Sequence, residues 1–203
     1  MNNDRLILIT NPGSSSRKYA LYRGNNFLCS LHFEFEGEKI VYTLKKADNT
    51  KVKTETKFTT LNAVVSGLEK ILVEEGYIGG PTKLDAILAR VAAPGSYFAE
   101  DHIVDEECLT QLEIAKSRAP LHAPVIANEI EQLKKTFKDT TVIAISDSGF
   151  HTSRPELMKA YAIDTELANK FDIKRWGYHG LSVGSITRYM CEQNILGEKT
   201  VVC

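Results

Sequence analysis

The stretch RLILITNPGSSSRKYALYRG, residues 5–24, places two apolar runs on either side of a cluster of small residues. RLILIT is short, continuous and apolar, and it stops at Asn11-Pro12-Gly13, which predicts a strand buried on both faces that ends in a turn. Pro12 and Gly13 suit the central positions of a type II turn, where proline presets φ and glycine accepts φ > 0. RKYALYRG then returns as a second strand. Between them lie the backbone N–H groups around Gly13, the hydroxyls of Ser14, Ser15 and Ser16, and the cations Arg17 and Lys18. Successive main-chain donors beside a cation make an anion-binding turn, with phosphate as the natural guest. A plain hairpin with solvated serines is the alternative. The loop is not the GxxxxGK[ST] type, because a strand and not a helix follows it.

Downstream, FLCSLHFEF (27–35) alternates Leu31, Phe33 and Phe35 with His32, Glu34 and Glu36, so this strand has one wet face. KIVYTLKKA (39–47) and TKVKTETKF (50–58) extend an antiparallel meander to about Phe58. From 59 to 76 the period lengthens, with Leu61, Val64, Val65, Leu68, Ile71 and Leu72 at three- and four-residue steps, which marks a helix ending at Gly76. KLDAILARVA (83–92) and TTVIAIS (140–146) read as strands, the latter buried. Residues 105–116, 122–137 and 180–194 read as helices, and EKTVVC (198–203) as the opening of a further strand. Strands first, then alternating helix and strand, define an α/β class with a mixed sheet. The β-rich part runs to about residue 58 and the alternating part from 59 to 203, in one domain.

With 25 Lys and Arg against 26 Asp and Glu, the formal charge of −1 creates no overall field for nucleic acid or anionic lipid, so an anion site must be local. No apolar run approaches the ~20 residues that span a bilayer. MNNDRLILIT lacks signal-peptide architecture, and the expectation is a cytoplasmic protein. Cys29, Cys108, Cys191 and Cys203 form no CxxC pair, and neither a structural metal nor a disulfide is expected.

Candidate chemistry gathers where apolar runs end. Arg90 closes DAILAR, at the carboxyl end of the sheet where ligands collect in open α/β folds. A guanidinium there grips a carboxylate or phosphate with two parallel bonds, or makes a surface ion pair. Ala92 and Ala93 leave room for a ligand or for close helix packing. Asp147, just beyond TTVIAIS, suits organising metal-bound water, orienting an arginine, accepting a proton or capping a turn. His122 in RAPLHAP precedes a predicted helix, His151 follows SGF, and His179 lies between Gly177 and Gly180 in RWGYHG. An imidazole at 122 or 179 fits the donation of hydrogen bonds to charge developing on a transferring group. His32 and His102 read as surface residues.

NPGSSSRK, ARV at 89–91, APLHAP, SDSGFH and RWGYHG occur in the order and spacing of the acetate and propionate kinase family, which the chain resembles over nearly its whole length. The resemblance implies the ribonuclease-H-like α/β domain of the actin, hexokinase and sugar-kinase superfamily, and specifically its N-terminal half. It implies Asn11 as a magnesium-site residue and Lys18 at nucleotide phosphate, with Ser14 and Ser16 lining the phosphate loop by position. Arg90 is implied as the substrate-binding arginine, with Ala92 in the acyl pocket. Asp147, His179 and His122 are implied as active-site residues. The implied reaction is reversible phosphoryl transfer from ATP to acetate or propionate with Mg2+. The family's R-V-V-H-G-G reads Arg90-Val91-Ala92-Ala93-Pro94-Gly95 here, and its H-G-T-S-H reads His179-Gly180-Leu181-Ser182-Val183. Ala92 is smaller than the usual valine, which leans toward propionate, although one methylene carries only ~1–3 kcal/mol. In the family a nucleotide-binding C-terminal domain, with its glycine loop, catalytic arginine and metal-ligating glutamate, follows the equivalent of VVC, and dimers commonly form through it. The expectation is therefore a carboxylate-binding half that is inactive alone. The competing expectation is a non-catalytic phosphate- or carboxylate-binding module derived from such a kinase.

Overall fold

The computed structural model describes residues 4–195 and 197; the strand expected over 198–203 lies outside the described residues. Eight strands form one sheet in the order β5-β4-β3-β2-β1-β6-β8-β7. The first five are β1 (Leu6–Pro12), β2 (Ser16–Arg23), β3 (Asn26–Glu36), β4 (Lys39–Lys46) and β5 (Lys51–Glu55), paired antiparallel as a meander. β1 then pairs parallel with β6 (Ala86–Val91), and β6 parallel with β8 (Thr141–Ser146). The two-residue β7 (His102–Ile103) adds an antiparallel edge to β8. The sheet is mixed, as the order of elements predicts.

Parallel neighbours need crossovers, and the helices supply them. α1 (Val65–Glu74) connects the meander to β6; α2 (Glu106–Arg118) and α3 (Ala123–Thr136) lie between β6 and β8. Asp105 caps α2 by accepting from the Cys108 N–H at 2.9 Å, while Pro124 occupies the first turn of α3, where its missing N–H costs nothing. Leu68 and Leu72 of α1, Leu112 of α2, and Ile126, Ile130 and Leu133 of α3 close a single core over Leu8, Tyr19, Leu21, Leu31, Phe33, Ile87 and Val142. Three shorter or later helices follow: α4 (Glu156–Lys159), α5 (Thr165–Lys170) and α6 (Gly180–Glu192).

Four expectations are corrected. β1 is not buried on both faces: Leu6 and Leu8 are covered, but Ile9 is 38% exposed. β8 alternates likewise, because α1, α2 and α3 all pack on the face carrying Leu8, Ile87 and Val142. Nor is Gly13 at φ > 0. β1 runs on through Pro12, which pairs with Arg17, and the turn is closed by Gly13 N–H donating to the Ser16 carbonyl at 2.9 Å. Ser14 and Ser15 therefore form its tip. His102, read as a surface residue, is stacked on Tyr97 at 3.9 Å with Nε2 2.7 Å from the Tyr97 carbonyl. No described helix is long and apolar enough to cross a membrane.

Candidate active site

The carboxyl ends of β1, β6 and β8 lie side by side, so the residues that terminate three separate apolar runs meet. Arg90 Nη2 donates to Asp147 Oδ2 at 2.6 Å, and Arg90 Nη1 to Asn11 Oδ1 at 3.2 Å. Asp147 is fully buried, its own N–H held by the Val91 carbonyl at 2.9 Å. It does not cap the following turn; Ser146 Oγ does that, accepting from Gly149 N–H at 2.8 Å. Asp147 Oδ2 also accepts the His179 main-chain N–H at 3.0 Å. His179 is left-handed, at φ 65°, a conformation a non-glycine residue keeps only where its surroundings hold it. One buried carboxylate thus fixes both an arginine side chain and the strained residue that starts α6.

Above these groups opens a cavity of about 580 Å3. Asn11, Ser14, Arg90, Ala92, His122 and His179 line it, which brings six of the nine sequence-predicted site residues together, with Asp147 beneath as a seventh. Ser15, Arg118, Leu121 and Tyr178 line it as well. His122 and His179 are the residues preceding α3 and α6, so two helix N-termini face the same space. Among the described residues no carboxylate lines the cavity, whereas two arginines and two histidines do. Its field favours anions. Burial pushes the Tyr178 phenol above its ordinary value, and the nearby Asp147 charge adds to this, so it stays a neutral hydroxyl.

Two predicted residues lie outside this cavity. Lys18 is exposed, opposite Asn11 in the β1–β2 ladder, and lines a neighbouring groove with Asn11 and His32 on the uncovered face of the sheet. Ser16 belongs to the strand, its carbonyl closing the turn; the loop's exposed hydroxyls are those of Ser14 and Ser15. Arg17, adjacent to the loop, points the other way. It is 2% exposed, with Nε 3.2 Å from Glu129 Oε2 on α3, and its guanidinium donates to the Gly13 and Ser16 carbonyls and to Asn62. Thr10 donates to the other Glu129 oxygen at 2.9 Å. Burial pushes the Glu129 carboxyl above the usual range, against the pull of Tyr19, Thr10 and Arg17. His151 also leaves the cleft, facing the Tyr178 carbonyl at 3.2 Å beneath Gly177 and Gly180. Sequence reasoning missed Arg118, Tyr178 and the Arg17–Glu129 pair. Arg118 and Tyr178 each left a signal, the one two residues before Pro120 in RAPLHAP and the other directly before His179 in RWGYHG.

A magnesium ion demands six oxygens and usually arrives with waters and substrate phosphates. No group of three or more described His, Cys, Asp or Glu side chains could hold an ion. Asn11 offers one carboxamide oxygen at the cleft, and Asp147 Oδ1 is buried without a hydrogen-bond partner among the described residues. This donor set fits an ion carried in on a phosphate, not a resident cage.

The chain matches the model of the acetokinase family over residues 6–201. It is 33% identical to an acetate kinase of Streptomyces coelicolor over 187 residues, 90% of this chain and 46% of that protein. Among solved structures, a propionate kinase from Francisella tularensis superposes with a TM-score of 0.80 at 26% identity, covering 94% of this chain and 49% of its own. The Porphyromonas gingivalis acetate kinase gives 0.78 at 25% identity, covering 95% and 50%. The chain belongs to the acetokinase family, and it spans about half the length of the relatives it matches.

Proposed function

We propose that this chain is the carboxylate-binding half of a short-chain carboxylate kinase, which transfers a phosphoryl group between ATP and a small organic acid once a nucleotide-binding half is supplied. The observation that carries the reading is the convergence of Asn11, Arg90, His122 and His179 on one cavity without an acidic lining, over a buried Asp147. A short carboxylic acid has a pKa near the ~4.3 of a glutamate side chain and is already ionised at neutral pH, so the nucleophile needs no base. The difficulty is joining two anions, which calls for positioning and charge stabilisation. Arg90 receives the carboxylate. Asp147 aims Arg90 and holds His179 in place, and does not abstract a proton. His122 and His179 donate hydrogen bonds to the equatorial oxygens of the transferring group, and Ser14 and Ser15 offer hydroxyls at the loop tip. A magnesium ion on the nucleotide, with Asn11 as its contact on this side, would neutralise phosphate charge. Lys18, next to Asn11 on the open face, is placed for the outer phosphates of a nucleotide held by the other half.

The test has two parts. Calorimetric titration of short carboxylates into the purified chain should give binding that Arg90→Ala abolishes; binding indifferent to that change overturns the role of Arg90. An acyl-hydroxamate assay with ATP and Mg2+ should give no product from this chain alone, and turnover would refute the dependence on a second half.

A further inference from the structure

We propose that Arg118 binds a second acidic group at the far end of the substrate, which makes a short dicarboxylate the acid this cleft selects. The inference rests on the reading above, in which Arg90 receives the reacting carboxylate. Three observations carry it. First, the cavity, of about 580 Å3, extends beyond Arg90 and takes in Arg118 and Leu121 as well. Second, the cavity that Arg90 and Arg118 both line also has an apolar share in its wall, from Ala92, Pro94, Ala119 and Leu121. That is the lining expected along a methylene chain with charge at both ends.

Third, Arg118 is poorly satisfied by the protein. Its one hydrogen-bond acceptor among the described residues is Asp172 Oδ2 at 3.5 Å, the limit of such a bond. Asp172 is already engaged more tightly, by Ser96 N–H at 2.7 Å and Ser96 Oγ at 2.6 Å. Asp172 thus anchors the Gly95–Ser96 bend and leaves most of the guanidinium fork of Arg118 free, beside the cavity and 38% exposed. Arg90, by contrast, is anchored through both terminal nitrogens. A cation is favoured at a helix C-terminus in any case, but Lys116 in the same turn of α2 meets that preference without facing the cavity. An arginine offers a carboxylate two parallel bonds, which selects a second carboxylate over a hydroxyl.

Succinate and butyrate have four carbons each and differ in the distal carboxylate, so they isolate the contribution of Arg118. Each would be titrated by calorimetry into the wild-type chain, Arg118→Gln and Arg90→Ala, with inorganic phosphate as a third ligand and circular dichroism to verify folding. The expected result is that succinate binds about tenfold more tightly than butyrate to the wild type, and equally to Arg118→Gln. Equal affinity in the wild type, or a preference that survives Arg118→Gln, overturns the proposal while leaving Arg90-dependent binding and the kinase reading intact. Phosphate binding that Arg118→Gln weakens as much as succinate binding also overturns it, by making Arg118 a phosphate ligand. Absence of any Arg90-dependent carboxylate binding overturns both readings together.

Discussion

Arg17→Met removes the cation from beneath the β1–β2 loop and leaves Glu129 in the core without its counter-ion. Both side chains are essentially inaccessible, 2% and 1% exposed, so solvent cannot replace the lost partner. Breaking such a pair from one side costs about 3–5 kcal/mol. The low end applies, because Glu129 can escape by taking a proton. At roughly 2–4 °C per kcal/mol for a chain of this size, about 3 kcal/mol lowers Tm by roughly 6–12 °C at neutral pH. The penalty must depend on pH with a definite sign. A carboxyl whose folded pKa is raised favours the folded state below its unfolded pKa, and loses that advantage as pH climbs toward the folded value. Glu129 is raised already by burial, and without Arg17 it rises further. The cost of Arg17→Met therefore shrinks to about 1–2 kcal/mol at pH 5, the part due to lost bonds to Gly13, Ser16 and Asn62. Urea denaturation followed by circular dichroism at pH 5 and pH 7.5 measures both. The double variant Arg17→Met/Glu129→Leu removes both charges and should recover the electrostatic part of the loss, leaving about 1–2 kcal/mol from the missing bonds to Gly13, Ser16 and Asn62. A penalty identical at the two pH values, or a double variant costing the sum of its singles, refutes the argument.

Arg90→Ala also strands a buried carboxylate, but Arg90 keeps 28% of its side-chain surface in water, so the stability loss should be about 2 kcal/mol rather than 3–5; denaturant titration checks this. Gly177→Ala places a Cβ 2.7 Å from the His151 ring at φ +76°, a clash added to a backbone conformation alanine resists. A loss of about 2–3 kcal/mol is expected by the same measurement. Burial pushes the Cys29 thiol to about 11 and raises Cys108, while Cys191 is exposed. Of these three described cysteines, iodoacetamide at pH 8 followed by peptide mapping should modify Cys191 first, with Cys29 and Cys108 reacting only on unfolding; early labelling of Cys29 would contradict the packing of β3.

The mixed sheet was legible because strand and helix periods differ along the chain, and the change at about residue 59 is sharp. Two things about it were not legible. A continuous apolar run such as RLILIT signals burial without saying how many faces are covered, and here all the packing helices lie to one side. β7, α4 and α5 are two to six residues long, too short to establish a period. The cleft was visible for a related reason. An apolar run stopping at a polar residue marks a strand end, and parallel strands place such ends together, so Asn11, Arg90 and Asp147 could be grouped without coordinates.

Partnerships across the fold leave no such mark. Thr10 and Glu129 are 119 residues apart, and Arg118 and Asp172 are 54 apart. Neither pair shares a periodicity that would bring it to notice. The sharpest case is Arg17-Lys18, which in sequence looks like one positive cluster behind a serine loop. A strand sends successive side chains to opposite faces, so two adjacent cations in β2 cannot serve the same ligand. Arg17 falls on the helix-covered face and must find a buried acid, which Glu129 provides; Lys18 falls on the open face beside Asn11. The loop's charge is thereby divided between a cation that holds its carbonyls from below and one exposed on the open face, and that division follows from the two-residue repeat alone.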